Sequence, residues 1–169
     1  MGVYGGKPSI EVTDVIPDTF SFSDKPDKFI LIEKEQVLKL IHSESSKAIL
    51  LDARSAEEYK GHQHKDGAKK AGRIPKSVHI DWAEAVDYGN TFTFKPVEEL
   101  EKIYNRLGAL KEDTIVVYCH SGVRSSHTTF VLTQLLDYKN VLNYDGSWVE
   151  WSYDDLLPFE TDTQYVEKK

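Results

Sequence analysis

The sequence predicts an α/β protein with a parallel β-sheet, because short apolar runs alternate with segments of helical periodicity. The clearest strand spans residues 114–118, whose first four residues are β-branched. Residues 48–51 form a second apolar run, which lacks polar alternation and ends at Asp52. Such a run is typical of a strand that is buried on both faces, as the strands of a parallel sheet are.

The segments between these strands carry helix signals. Residues 33–42 place their apolar side chains at near-helical spacing. Ser55 is expected to be the N-cap of a short helix, with Glu58 as its capping-box partner. A longer helix is predicted from Pro96 to Leu107, because proline favours the first turn of a helix and Gly108 follows the last residue.

Further strands and the last helix follow the same alternation. Ser77–Ile80 and Val141–Tyr144 are predicted as short strands. Between them, Cys119–Arg124 is predicted as a compact loop, and Ser125–Leu136 as the helix that follows this loop. The strand at residues 114–118 therefore leads directly into the loop that holds Cys119.

The domain organisation follows from composition. Residues 1–28 are rich in Pro, Gly, Asp and Ser, which predicts a linker-like arm with one short edge strand at Ile10–Val15. One folded domain is expected over residues 29–160, with a tail at residues 161–169. A chain of 169 residues with 40% hydrophobic residues is large enough and apolar enough to bury the core of one domain.

Charge and hydropathy exclude several partner classes. The net charge of −7 makes a general nucleic-acid binder improbable. The sequence contains no apolar run of the roughly 18 to 20 residues that a membrane span needs, and its first residues lack the features of a signal peptide. We expect no nucleic-acid or membrane partner and a cytoplasmic protein. Export stays open, since a leader removed before residue 1 would leave no trace.

Cys119 is the only cysteine, so the chain can form no intramolecular disulfide and no zinc site built on several thiolates. It follows a predicted strand at the carboxyl edge of the sheet, where open parallel sheets bind their ligands. The sequence predicts no metal site, and any thiol chemistry must use Cys119.

The loop after Cys119 is suited to an anion. A tight loop can turn its backbone N–H groups inward, Gly122 relieves the steric limit at one position, and the following helix adds its positive end. Arg124 adds a full positive charge. These features favour a reactive thiolate at Cys119, and they would also hold an anionic substrate or a persulfide sulfur. The candidate binding residues are His120, Ser121, Gly122, Val123, Arg124 and Ser125.

These residues resemble the active-site loop of rhodaneses, the thiosulfate and mercaptopyruvate sulfurtransferases. The loop reads CHSGVRSSHT, and three other segments agree with the family in order and spacing: LLDARSAEEY, AGRIPKSVHIDW and NYDGSWVEW. The resemblance spans residues 46–157 and is greatest to the C-terminal catalytic domain of tandem-domain members.

The resemblance implies a three-layer α/β/α fold with a central parallel sheet of about five strands. It also implies a Cys119 persulfide that takes a sulfane sulfur from thiosulfate or a similar donor and passes it to cyanide or a thiol. No metal or organic cofactor is implied. The tandem-domain likeness further suggests an N-terminal rhodanese-like domain as a partner.

The chain departs from the rhodanese pattern at several positions, and other functions compete with transfer of sulfur from thiosulfate. Cell-cycle phosphatases related to this family use Cys-x5-Arg, whereas this chain has Cys-x4-Arg, a smaller loop that disfavours the phosphatase interpretation. Glu58 stands where many two-domain thiosulfate enzymes carry an arginine, so a substrate cation expected from the resemblance is missing, which questions the identity of the donor. The mercaptopyruvate pattern Cys-Gly-Ser-Gly is absent, which favours thiosulfate or a persulfide donor. Asp52, Arg54 and Glu58 are expected to form a supporting network. A sulfur carrier or a partner-binding module without turnover stays open as the main alternative.

Overall fold

The computed structural model describes Thr19, Ser21 and residues 30–43, 45–89 and 92–162. Within these residues, parallel strands form one sheet in the order β2-β1-β3-β4. The strands are β1 Ile49–Asp52, β2 Val78–His79, β3 Thr114–Tyr118 and β4 Asn140–Asn143. A parallel bridge from Leu31 to Asn143 extends the outer edge of β4. The predicted parallel α/β sheet is confirmed, while the strand predicted at Ile10–Val15 lies outside the described residues.

In the described part of the chain, five α-helices surround the sheet: α1 Lys34–His42, α2 Ala56–Lys60, α3 Val97–Tyr104, α4 Val123–Phe130 and α5 Ser147–Tyr153. Short 3₁₀ turns lie at Trp82–Ala85 and Asn105–Leu107, and a π-helical turn at Val131–Leu135 continues α4. No helix in the part of the chain that the structure describes has the length and hydropathy of a membrane span.

One helix begins earlier than predicted, one helix was not predicted, and strands β2 and β4 differ from the predicted strands by one residue at each end. Helix α4 begins at Val123 rather than at Ser125, because Gly122 has a φ of 84° and its carbonyl accepts the first helical hydrogen bond. Helix α5 was not predicted, since its seven residues are too few to show a helical period. The other helix signals are confirmed, including the capping box between Ser55 and Glu58.

The core lies in two layers, one on each face of the sheet. Side chains alternate along a strand, so Ile115 and Val117 of β3 face one layer while Val116 and Tyr118 face the other. The first layer includes buried residues of α3 and of the π-helical turn after α4, and the second includes buried residues of α1 and α5. This is the expected three-layer α/β/α arrangement.

Helix α5 is anchored by two fully buried tryptophans, Trp148 and Trp151. Each indole N–H donates to a backbone carbonyl, Trp148 to Lys70 at 2.8 Å and Trp151 to Pro158 at 2.8 Å. A buried tryptophan with a satisfied N–H is worth about 3–5 kcal/mol relative to alanine. The tryptophans therefore fix α5, and with it the position of Ser147 at its first residue.

Candidate active site

Cys119 lies directly after β3, at the carboxyl edge of the sheet, and is 1% exposed. Its carbonyl accepts a hydrogen bond from the backbone N–H of Trp148 at 3.0 Å, and the carbonyl of His120 accepts one from the backbone N–H of Val149 at 2.9 Å. The loop from Cys119 to Gly122 is therefore bound along its length to the start of α5. The structure places Cys119 where the sequence predicts it, in the turn between a buried strand and a helix.

Ser147 holds this loop from the inside. Its hydroxyl oxygen accepts from the backbone N–H of Cys119 at 3.1 Å and from that of Gly122 at 3.2 Å. The hydroxyl donates to the Tyr144 carbonyl at 2.8 Å and lies 4.0 Å from the Cys119 sulfur. Ser147 is fully buried and has a φ of 53°, a region that costs a non-glycine residue free energy.

Sequence reasoning missed Ser147. The sequence did contain a signal for Ser147. Asp-Gly-Ser-Trp follows the last predicted strand, and the carboxyl ends of parallel strands meet at one edge of the sheet, so Ser147 could be expected near Cys119. What the sequence could not provide was the left-handed backbone that turns the hydroxyl toward Cys119.

Gly122 is required by its surroundings as well as by its backbone. A Cβ atom at this position would lie 2.2 Å from the Asp145 Oδ1 and 3.1 Å from the Asp145 carbonyl oxygen, so Asp145 would have to shift to accommodate any side chain. Its carbonyl also accepts from the hydroxyls of Ser125 at 2.8 Å and Ser126 at 2.6 Å. Gly122 thus lets the loop pack against the β4–α5 turn and lets α4 begin immediately afterwards.

The first turn of α4 supplies the donors that the loop presents. The N–H groups of Val123, Arg124 and Ser125 lie in this turn, where helical geometry provides no intrahelical acceptor. The positive end of the helix dipole lies at the same place. The side chains differ in exposure: Ser125 is buried, Ser121 is exposed, and Val123 is 74% exposed.

Arg124 and Glu58 form a two-pronged ion pair beside the loop. Arg124 Nη1 lies 2.7 Å from Glu58 Oε2, and Nη2 lies 2.9 Å from Oε1. Burial would raise the pKa of Glu58, but the hydrogen bonds and charge of Arg124 outweigh it and lower this pKa to about 2. Burial would likewise lower the pKa of Arg124, but Glu58, and less strongly Cys119, raise it. The positive charge predicted for the loop is therefore already paired with a carboxylate.

A second ion pair, between Asp52 and Arg54, lies deeper in the protein. Arg54 Nη2 is 2.6 Å from Asp52 Oδ2 and also donates to the Gly72 carbonyl at 2.7 Å, and both side chains are almost completely buried. The guanidinium stacks on the Trp148 ring, 4.8 Å from its centroid. Burial alone would lower the pKa of Arg54, but Asp52 and Tyr118 raise it overall.

His120 joins the loop to the segment around Asp66. Its Nε2 lies 3.1 Å from the Asp66 carbonyl, so this nitrogen is the donor and carries the proton. Burial lowers the pKa of His120, although the bond to Asp66 opposes this shift. The neutral ring is therefore favoured beside the loop, and His120 adds no full charge to it at neutral pH.

The structure thus gathers most of the predicted site residues around one loop. Cys119, Gly122, Arg124 and Glu58 are linked through direct contacts or through Ser147. Asp52 and Arg54 are linked to the loop through Trp148, whose N–H binds Cys119, rather than by a hydrogen bond to the cysteine itself. This arrangement can hold a sulfur anion between a buried strand end and a helix N-terminus.

Comparison with known proteins shows the family to which the chain is similar. The model of the rhodanese-like domain matches residues 33–154. The chain is 44% identical over 132 residues to the sulfur carrier protein TtuD of Thermus thermophilus, covering 74% of this chain and 46% of that protein. It is 48% identical over 108 residues to the "Putative thiosulfate sulfurtransferase SseA" of Mycobacterium tuberculosis, covering 60% of this chain and 35% of that protein.

Among solved structures, the chain resembles EanB, here a variant with ergothioneine covalently linked to a persulfide cysteine. The TM-score is 0.68 at 26% identity, covering 78% of this chain and 32% of that one. The chain therefore spans less than half the length of these curated relatives, and less than half of EanB.

Proposed function

The chain belongs to the rhodanese family, and from that premise we propose that it transfers sulfane sulfur through a persulfide on Cys119. The observation that carries the proposal is the position of Cys119, its backbone fixed by Ser147 beside the unpaired N–H groups of α4. A thiolate or persulfide anion at this position is stabilised by those donors and by the helix dipole.

The proposed reaction has two displacement steps. In the first, the Cys119 thiolate attacks the outer sulfur of a donor such as thiosulfate. The bond between the two donor sulfurs breaks, its electron pair leaves with sulfite, and Cys119 becomes a persulfide. In the second, a thiolate or cyanide attacks the terminal persulfide sulfur, and the Cys119 thiolate is regenerated. Neither step needs an external oxidant or reductant, because the leaving group takes the electron pair each time. Neither step needs a metal or organic cofactor.

The remaining residues have proposed roles that follow from their contacts. The backbone N–H groups of His120, Ser121, Val123, Arg124 and Ser125 bind the persulfide and the donor anion, while the Gly122 N–H donates to Ser147. Asp52, Arg54 and Glu58 hold the elements that shape the loop, because each is buried and ion-paired. Ser147 acts as a positioning residue, since its hydroxyl fixes the loop through two backbone N–H groups.

The test is intact-mass spectrometry after incubation with thiosulfate. We expect a gain of one sulfur atom, about 32 Da, which cyanide removes and which is absent in Cys119→Ala. The control Thr133→Ala removes a hydroxyl in the π-helical turn, where it donates to the Thr129 carbonyl away from the loop, and should load normally. A folded wild-type chain that gains no sulfur from any sulfane donor would contradict the proposal.

A sulfur carrier is the second candidate. It is favoured by the 44% identity to a protein named as a sulfur carrier. A carrier would form the same persulfide, but would release it only to a protein acceptor. Steady-state turnover with thiosulfate and cyanide therefore supports the enzyme, whereas stoichiometric loading without turnover supports the carrier.

A further inference from the structure

Both arginines of the candidate site are held in ion pairs with carboxylates. Arg124 is held by both oxygens of Glu58, and Arg54 is held by both oxygens of Asp52. The side chain of Glu58 is 1% exposed and that of Arg124 is 12% exposed. Both arginines of the site are therefore neutralised by carboxylates, and the loop attracts anions mainly through backbone N–H groups and a helix end.

We infer that the Glu58–Arg124 pair selects the charge of the sulfur donor, so that the site takes singly charged persulfide-type donors in preference to the dianion thiosulfate. The inference rests on the proposed function, since it concerns the first displacement at Cys119. It makes Glu58 a residue that determines donor specificity, in addition to its structural role in the capping box.

A dianionic donor and a monoanionic donor experience different electrostatic energies beside the Glu58–Arg124 pair. A dianion that approaches Arg124 also approaches the Glu58 carboxylate, so repulsion offsets attraction. Pulling Arg124 away from Glu58 would leave a buried carboxylate without its partner, which is strongly unfavourable. A singly charged persulfide can bind without displacing Arg124 from Glu58, because the α4 N–H groups suffice to bind one charge.

The chemistry is the same for both donor classes. With a persulfide donor, the Cys119 thiolate attacks the terminal sulfur, the sulfur–sulfur bond of the donor breaks, and a thiolate leaves with the electron pair. Thiosulfate releases sulfite in the corresponding step. The donors therefore differ in charge and leaving group, and a comparison must separate these two properties.

The experiment uses thiosulfate and benzenethiosulfonate, which carry two charges and one charge respectively on a sulfonyl-type donor. The rate of persulfide formation on Cys119 is followed by intact mass, and each rate is divided by the rate of the same donor with a free small thiol. This division removes the intrinsic reactivity of the donor. In the wild type, we expect the normalised rate for benzenethiosulfonate to exceed that for thiosulfate by about tenfold or more.

Glu58→Gln tests the residue directly. Glutamine keeps the capping box and the shape of the side chain but removes one negative charge. The ratio of thiosulfate to benzenethiosulfonate rates should rise about tenfold, because the dianion gains one more unit-charge interaction than the monoanion. Glu57→Gln is the matched control: Glu57 lies on the same helix, is exposed, and pairs with His62 instead. Its ratio should stay within about twofold of the wild type.

Each outcome has a definite meaning. A wild type that loads thiosulfate as well as benzenethiosulfonate after normalisation overturns the inference, and this arm requires no variant to fold. An unchanged ratio in folded Glu58→Gln, or an equal change in Glu57→Gln, also overturns it. If neither of these donors nor a small-molecule persulfide loads the wild type, the proposed function itself fails, and the inference fails with it.

Discussion

The two ion pairs at the carboxyl edge of the sheet have the same chemistry but different surroundings. Asp52–Arg54 is sealed from solvent, stacked on Trp148 and bound to the Gly72 carbonyl. Glu58–Arg124 is open on the arginine side and lies at the first turn of α4, beside Cys119. The difference indicates that Asp52–Arg54, the inner pair, supports the fold. Glu58–Arg124, the outer pair, can influence which donor reaches the Cys119 sulfur.

Removing the inner arginine should have the largest effect. Arg54→Met leaves the Asp52 carboxylate buried without its partner, and we expect a loss of about 3–5 kcal/mol in the free energy of unfolding. Urea denaturation measures this loss. Arg106→Met is the control, because Arg106 pairs with Glu84 at the surface and should contribute at most about 1 kcal/mol. Equal stability of the two variants would contradict the assignment of the inner pair to the fold.

The outer pair should appear in the pH dependence of stability. Glu58 has a folded pKa of about 2, below its ordinary value of 4.5, so its contribution is fully present above pH 4.5. That contribution is lost as the pH falls through 4.5 toward 2 and amounts to about 3 kcal/mol when complete. Urea denaturation from pH 6 to pH 3 should therefore show a smaller decrease in stability for Glu58→Gln than for the wild type. The same decrease in both proteins would show that Arg124 does not hold the pKa down.

The two pairs also show what the sequence could and could not predict. The spacing of Asp52 and Arg54 after a buried strand predicted a buried network, and the Ser55–Glu58 capping box was read from local sequence alone. The contact between Glu58 and Arg124 joins residues that are 66 positions apart. No local pattern encodes such a contact, because it depends on how α2 and α4 pack at the sheet edge. The boundary of α4 was misplaced for a similar reason, since it depends on the backbone of Gly122 against Asp145.

Ser147 connects the inner and outer ion pairs through its neighbours in the structure. Replacing its hydroxyl should lower the free energy of unfolding less than the changes to either ion pair. It precedes Trp148, which stacks on Arg54, and it binds the N–H of Gly122, which precedes α4. Ser147→Ala leaves two backbone N–H groups without an acceptor, which should cost about 1–2 kcal/mol. Loading of Cys119 should slow about tenfold, because a shift of the loop misplaces the sulfur.

Ser147→Gly separates the hydroxyl from the backbone. Glycine also lacks the hydroxyl but tolerates the φ of 53°, so this variant should be more stable than Ser147→Ala by up to about 1 kcal/mol. Its loading rate should nevertheless stay as low as that of Ser147→Ala, since neither variant can fix the N–H groups of Cys119 and Gly122. If Ser147→Gly loads sulfur at the wild-type rate, the hydroxyl does not position the loop, and the contact between the two networks depends on backbone shape alone.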